Sequence, residues 1–264
     1  MRKMGNRSGA IAVISDVHGN RLALEAVLKD IEARGIPRIV NLGDSLFGPL
    51  DPMGTADLLA RHPSIVSIMG NCDDILLEER PLAGTYGFVK PLLDDRTIDW
   101  IRGFRETWQV EDLLFCHGTP FSNRDYLLEK ISRDGAGVKS AEELFSELAG
   151  VTATYIFCGH SHVPRMVKLP NGQTIVNPGS VGLPAYEDEE PYPHAMEAGS
   201  PHARYCVADR AENGEWTVEP IQVEYDWEQA SRWASASGRE DYAYALLTGR
   251  ARPAAKNEAR GNEE

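Results

Sequence analysis

Cysteine is scarce in this chain, and what there is does not pair. Four cysteines occur in 264 residues. Cys72, Cys116, Cys158 and Cys206 are far apart and form no C-x-x-C. That spacing excludes a dense disulfide framework and a structural zinc knuckle, and predicts a reduced, cytoplasmic protein. Cys116 and Cys158 lie inside apolar runs, where a free thiol behaves as a small hydrophobe. Positive charge is also in short supply: 27 Lys and Arg stand against 40 Asp and Glu, a net charge of −13. A broad basic face for extended nucleic acid is thereby excluded, whereas a small anionic substrate is not, because bound cations reverse a local field. No apolar run approaches the ~18 residues that a membrane span needs. Met1 to Gly9 is polar, without the apolar core of a signal segment.

With 42% hydrophobic and 25% charged residues, the composition is that of a soluble globular protein able to bury a sizeable core. No internal repeat and no clear linker appears. We therefore expect one domain over residues 10–249, a flexible N-terminus over 1–9 and a disordered polar tail over 250–264. Self-association is not legible.

The chain reads as strands that each end in a short polar signature. Ala10–Ser15 is an apolar strand that runs into Asp16-Val17-His18-Gly19-Asn20. Leu24, Val27, Leu28 and Ile31 recur at helical spacing up to Gly35 and Pro37. Arg38–Leu42 ends at Gly43-Asp44, and Ser64–Met69 ends at Gly70-Asn71-Cys72-Asp73. A helix is expected from Pro52 to Arg61, and a broken helical region from Asp74 to Trp108. Leu113–Cys116 ends at His117-Gly118, and helices are expected around Arg124–Ile131 and Ala141–Leu148. Thr154–Phe157 ends at Cys158-Gly159-His160-Ser161-His162. Beyond it, Arg165–Leu169, Gln173–Asn177, Arg204–Ala208 and Trp216–Val223 read as an antiparallel series, with Asn171-Gly172 a hairpin turn. Tyr186 to Pro201 reads as a mobile acidic loop, and helices are expected at Trp227–Ala236 and Glu240–Leu247.

Singly, each signature is more often an ordinary turn, a helix cap or a core histidine. Together they place polar groups at five strand ends, where open α/β sheets bind ligands. The chain has seven histidines, and four of them (His18, His117, His160, His162) fall on these motifs. His62, His194 and His202 do not, and read as surface residues. Two Asp, one Asn and four His make a mixed oxygen and nitrogen set suited to first-row divalent metals. Seven ligands are too many for one ion and fit two if a carboxylate bridges them.

The order D-x-H, G-D, G-N, H, G-H-x-H over residues 10–183 resembles the calcineurin-like metallophosphoesterase superfamily. Asn177-Pro178-Gly179-Ser180-Val181-Gly182 and Phe47-Gly48-Pro49 look like its small prokaryotic branch of predicted phosphodiesterases. The resemblance implies an α/β fold, a four-layer αββα sandwich of two mixed sheets. It implies that Asp16, His18 and His162 hold a first metal, that Asn71, His117 and His160 hold a second, and that Asp44 bridges them. Mn²⁺ is the leading metal, with Fe²⁺, Ni²⁺, Zn²⁺ or Mg²⁺ open. The implied reaction is attack of a metal-bridging hydroxide on a small phosphodiester or nucleotide. A diadenosine-tetraphosphate hydrolase, a nucleotide phosphomonoesterase and a non-catalytic protein-binding scaffold are alternatives.

Asp44 and His117 are thus the expected catalytic centre, with Asn71 and Cys72 also expected to touch substrate. Larger protein phosphatases of the family have His after Gly-Asn, where this chain has Cys72; a thiol is a poor proton donor at neutral pH. Asp73 is one candidate donor in its place, and a protein Ser/Thr phosphatase is disfavoured. Asn20, Asp73 and Asn177 are candidates for orienting the imidazoles. Arg165 either contacts a phosphate or makes a structural ion pair. Glu187–Glu190 reads as a solvated loop rather than a lid, and the five tryptophans as core or interface residues.

Overall fold

The computed structural model describes residues 9–211 and 213–253. The expected flexible N-terminus and disordered tail fall largely outside them. Its elements in chain order are β1 (Ile11–Ile14), α1 (Arg21–Ala33), β2 (Arg38–Asn41), α2 (Pro52–Ala60), β3 (Val66–Ser67), α3 (Asn71–Leu77), α4 (Gly84–Val89), a short 3-10 turn (Lys90–Leu92) and α5 (Asp95–Arg102). Then follow β4 (Trp108–Val110), β5 (Leu113–Phe115), β6 (Glu129–Ser132), β7 (Gly135–Val138), α6 (Ala141–Glu147), β8 (Tyr155–Phe157), β9 (Arg165–Lys168) and β10 (Thr174–Asn177). The chain closes with β11 (Ala185–Asp188), β12 (His194–Glu197), β13 (Ala203–Arg210), β14 (Trp216–Val223), α7 (Trp227–Ala236) and α8 (Glu240–Thr248). No helix among the described residues is long and apolar enough to cross a membrane.

Two five-stranded mixed sheets face each other, in the orders β14-β13-β1-β2-β3 and β4-β5-β8-β10-β9. Strands β1, β2 and β3 are parallel, as are β5, β8 and β10. The antiparallel strands lie on the flanks. The period of two along each strand decides the layers. Ile11 and Val13 point between the sheets, with Val40, Phe115, Phe157 and Val176. Ala12 and Ile14 point the other way, onto Leu24, Val27 and Ile31 of α1. On the far side Leu114, Ile156 and Ile175 meet Leu144 and Leu148 at α6. The result is the expected α/β sandwich, helix layer, two sheets, helix layer.

Three sequence expectations are corrected. The segment Arg124–Ile131 is not helical: Glu129–Ser132 pairs with Gly135–Val138 across a two-residue turn. The strand pairing there wins over helical composition, while Leu127 and Leu128 drop into the cluster beneath α6. Tyr186 to Pro201 is not a structureless loop but contains the hairpin β11–β12, with Tyr186 opposite Met196. The alternation in β12 buries His194 and Met196 and exposes Ala195 and Glu197, so His194 is not a surface residue. The antiparallel series divides between the sheets, since β9–β10 extends one and β13–β14 the other. The acidic residues Glu187–Glu190 are exposed, as expected, but Glu187 and Asp188 belong to strand β11 rather than to a loop.

The rings of Phe115 and Phe157 stack with centroids 5.0 Å apart, both fully buried between the sheets. Replacing Phe157 by Ala leaves a cavity that neither sheet can close, and should cost about 3–5 kcal/mol of stability. Urea denaturation of the variant checks this.

Candidate metal centre

The five signatures converge at the C-terminal ends of the parallel strands of both sheets. Asp16 and His18 follow β1, Asp44 follows β2 and Asn71 opens α3 after β3. His117 follows β5, and His160 and His162 follow β8. The loops are tied to one another by backbone hydrogen bonds: Asp16 N–H to Gly43 O (3.0 Å), His18 N–H to Asp44 O (2.9 Å) and Gly159 N–H to His117 O (2.7 Å). Reaching inward from such tight crossings needs unusual backbone. Six described non-glycine residues have positive φ, and five of them are Asp16, His18, Asp44, His160 and His162. That region is sparsely populated by residues with a Cβ, and Asp and His tolerate it better than most. Two glycines allow the close approach. A Cβ at Gly70 would strike the Asp44 carboxylate, and one at Gly159 the Ser15 hydroxyl and the Asp16 carboxylate.

Which nitrogens face inward follows from what the others bond. Nδ1 of His18 lies 2.8 Å from Phe47 O, Nδ1 of His117 2.9 Å from Leu42 O, and Nδ1 of His162 2.6 Å from Leu183 O. A carbonyl only accepts, so in each neutral ring Nδ1 carries the proton and Nε2 is a bare lone pair. Nε2 of His18 and Nε2 of His162 are then 3.0 Å apart, lone pair against lone pair. Nε2 of His117 faces Asn71 Oδ1 at 2.9 Å and Asp44 Oδ1 at 3.6 Å, again acceptor against acceptor. In His160 the roles invert: Nε2 donates to Arg124 O at 3.1 Å, leaving Nδ1 bare. Finally, Asp16 Oδ1 is buried without a hydrogen-bond partner, 3.3 Å from His162 Nε2. Buried acceptors that face only acceptors are costly alone and are satisfied by a cation.

Two ligand groups emerge, each with its atoms mutually within 4.8 Å: Asp16, His18 and His162, and Asp16, Asp44 and His117. Asp16 belongs to both. Asp44 also faces both, with Oδ2 3.9 Å from His18 Nε2 and Oδ1 3.6 Å from His117 Nε2. The His160 ring stands 5.1 Å from that of His117. The expected seven residues are therefore brought to one place, and their chemistry fits divalent ions.

The electrostatics keep this set ready. Burial alone would raise the Asp16 carboxyl, but His162, His117 and His18 hold it far below the usual carboxylate range. Burial is likewise outweighed at Asp44, which His117 and His18 lower. Burial, assisted by His162 at one ring and His117 at the other, pushes His18 and His160 each down to about 4. At neutral pH both are uncharged and can offer a lone pair. His117 goes the other way, because Asp44, Asp16 and Asp73 overcome its burial and raise it.

Other expected residues lie elsewhere. Asp73 is fully buried behind Asp44, where its oxygens accept from the backbone N–H groups of Asp44 (2.7 Å), Ser45 (3.0 Å) and Gly70 (3.3 Å). Burial and Asp44 raise it to about 7, yet it fixes loop geometry and does not reach the cavity. Its expected role as proton donor is corrected accordingly. Arg165 turns to the buried Glu129, its Nε 3.5 Å from Oε1, which is the ion-pair alternative. Asn20 caps α1 and bonds Gly182 O. Asn177 bonds Gly159 O and Ser161 Oγ, shaping the loop that carries His160 and His162. Backbone carbonyls orient the imidazoles, not these three side chains.

A cavity of about 350 Å³ opens over the centre, with His18, Asp44, Asn71, Cys72, His160 and His162 in its wall. Of the rest of that wall, sequence reasoning singled out Glu187 and Asp188 only as part of an acidic run and missed Tyr86, Tyr126, Tyr186, Arg239 and Tyr242. They come from α4, from the segment between β5 and β6, from β11 and from α8 with its approach, none of which carries a compact motif. The one available signal was Phe47, inside Phe47-Gly48-Pro49.

Fold and ligand cluster together define a metal-dependent phosphoester hydrolase. The calcineurin-like phosphoesterase superfamily domain matches residues 10–196, and the chain belongs to that family. Among curated proteins, an uncharacterized protein of Methanocaldococcus jannaschii is 30% identical over 234 residues, covering 83% of this chain and 89% of its own. A metallophosphoesterase from Sphaerobacter thermophilus shares the fold with TM-score 0.70 at 23% identity, over 91% of this chain and 98% of that one. A hypothetical protein from Pyrococcus horikoshii does so with TM-score 0.68 at 20% identity and the same coverages.

The pKa shifts give a signed prediction for the metal-free protein. His18 and His160 protonate near 6.5 when unfolded but only near 4 when folded. The unfolded chain therefore binds more protons between those values, and stability falls as pH drops through the window. His117, raised in the fold, contributes stability that is present below 6.5 and fades as pH rises through its folded value. The urea midpoint should thus decline from pH 6.5 to 4.5, and more gently in His160→Gln. An equal slope in the variant would contradict the burial effect.

Proposed function

We propose that this protein is a dinuclear metal hydrolase of a small phosphodiester or nucleotide. The observation that carries this reading is the pair of bare Nε2 atoms of His18 and His162, 3.0 Å apart beside the unpartnered Asp16 Oδ1. In this reading Asp16, His18 and His162 hold one ion, Asn71, His117 and His160 the other, and Asp44 serves both. Two divalent ions, Mn²⁺ foremost, supply an activated water at neutral pH and neutralise charge on the phosphoryl oxygens. The chain's part is to hold the ligands in place without reorganisation. The Nδ1–carbonyl contacts aim the imidazoles of His18, His117 and His162, and Asp73 anchors the backbone of Asp44.

A cavity of about 350 Å³ is at the lower end of small-molecule sites, which favours a nucleotide-sized ester over a protein substrate. Its aromatic wall, with Phe47 and Tyr86 in contact at 4.2 Å, suits a base or another flat group. No expected ligand is missing, so a purely protein-binding role has no observation in its favour. The reading is of a cytoplasmic enzyme, in keeping with its free cysteines.

Wild-type protein with Mn²⁺ is expected to hydrolyse bis(p-nitrophenyl) phosphate, and a chelator to stop it. Asp16→Asn should lower kcat/KM by roughly a hundredfold or more, since even partners outside the ligand shell are worth 10–100-fold. Nucleotides, cyclic nucleotides and dinucleoside polyphosphates assayed side by side then name the substrate. No turnover with any divalent metal would leave the scaffold reading in its place.

A further inference from the structure

Among the described residues, the cavity wall contains a phenol whose hydroxyl no strong acceptor engages. Tyr86 projects from α4, half-buried, and its hydroxyl lies 3.2 Å from Cys72 Sγ. A thiol is a weak partner on either side of a hydrogen bond. The Asn71 amide reaches only the same sulfur, at 3.6 Å, and several other polar groups of the wall are committed. Tyr186 donates to His160 O at 3.0 Å, and Tyr126 bonds the Tyr186 hydroxyl at 2.8 Å. Arg239 spends Nε and one terminal nitrogen on Asp241, at 2.8 and 2.5 Å, and the other on Thr85.

Tyr86 also stands where the two ligand groups meet. Through Cys72 it adjoins Asp44, whose Oδ1 accepts the Cys72 N–H at 2.9 Å, and Asn71, the preceding residue. Through Phe47, 4.2 Å from its ring, it adjoins His18, which lies edge-on to Phe47 at 5.8 Å.

Resting on phosphoester hydrolysis at this centre, we propose that Tyr86 is a catalytic residue that donates a hydrogen bond from its hydroxyl to the leaving-group oxygen. As the oxygen of water forms its bond to phosphorus, the bond from phosphorus to the leaving oxygen breaks and its electron pair moves onto that oxygen. The Tyr86 O–H meets the growing charge there. Solvent receives the proton that the attacking water loses and returns one to the leaving alkoxide, so Tyr86 keeps its own. Cys72 holds the phenol in place.

The test uses phosphate esters that differ only in leaving group, from p-nitrophenyl to alkyl, with Mn²⁺-loaded full-length protein. Tyr86→Phe should leave the p-nitrophenyl ester within about threefold of wild type and slow alkyl esters by roughly ten- to a hundredfold. Cys72→Ala, which keeps the hydroxyl, should change this dependence far less. Calorimetry with inorganic phosphate gives a second readout, with affinity weakened roughly three- to tenfold by Tyr86→Phe. The assignment stands only if both readouts move. Equal slowing of all esters, or of none, overturns it. Should Tyr86→Phe fail to fold, the wild-type series decides: a leaving-group dependence as steep as in solution overturns the proposal, and a shallow one supports it. A wild type inactive on bis(p-nitrophenyl) phosphate would remove the phosphoesterase reading itself and this assignment with it. Activity with an unmoved leaving-group dependence removes Tyr86 alone.

Discussion

The centre depends on a contact between imidazole and main chain. Each of four rings gives its N–H to a backbone carbonyl: Phe47, Leu42, Leu183 and Arg124. A carbonyl cannot return a proton, so the contact fixes tautomer and ring angle in one step and leaves the opposite nitrogen bare. Because the acceptors are main chain of the connecting loops, the aim of the rings is set by loop backbone rather than by long flexible side chains.

That aim has a cost, and the structure shows where it falls. Backbone held at positive φ at a non-glycine residue is unfavourable and persists only where its surroundings determine it. Here it concentrates on Asp16, His18, Asp44, His160 and His162. Three things over-determine those positions: the loop-to-loop hydrogen bonds, the Asp73 carboxylate clasping three amides, and the apolar floor of Phe115 and Phe157. Gly70 and Gly159 add room where the carboxylates approach. Tight packing beneath and strained backbone above are two parts of one device that holds acceptors against acceptors.

Much of the centre was legible in the sequence because its ligands sit immediately after apolar strands. A strand end is marked by composition, and a His or Asp just beyond it is held by covalent geometry to within a few ångströms. Asp16, His18, Asp44, Asn71, His117, His160 and His162 all belong to this kind. The sandwich was legible for the same reason, through the alternation of Ile11 and Val13 against Ala12 and Ile14. What was not legible arises from contacts between segments far apart in the chain. Arg124–Ile131 carries helical residue types, yet its fate is decided by pairing with β7. Asp73 resembles a free acid until the loops it clasps are seen. His194 is buried only because β12 folds back along β11. The tyrosine wall is assembled from α4, the segment before β6, β11 and α8, whose separation in sequence hides any common purpose.

The cavity's floor and its roof come from opposite ends of the chain. All seven candidate ligands lie between Asp16 and His162, whereas Arg239, Tyr242 and Ala245 reach the cavity from the last helix and its approach. A ribosome delivers the chain from its N-terminus at ~5–20 residues per second. The acids and imidazoles of the nascent protein therefore emerge seconds before Arg239, Tyr242 and Ala245, which complete the cavity wall.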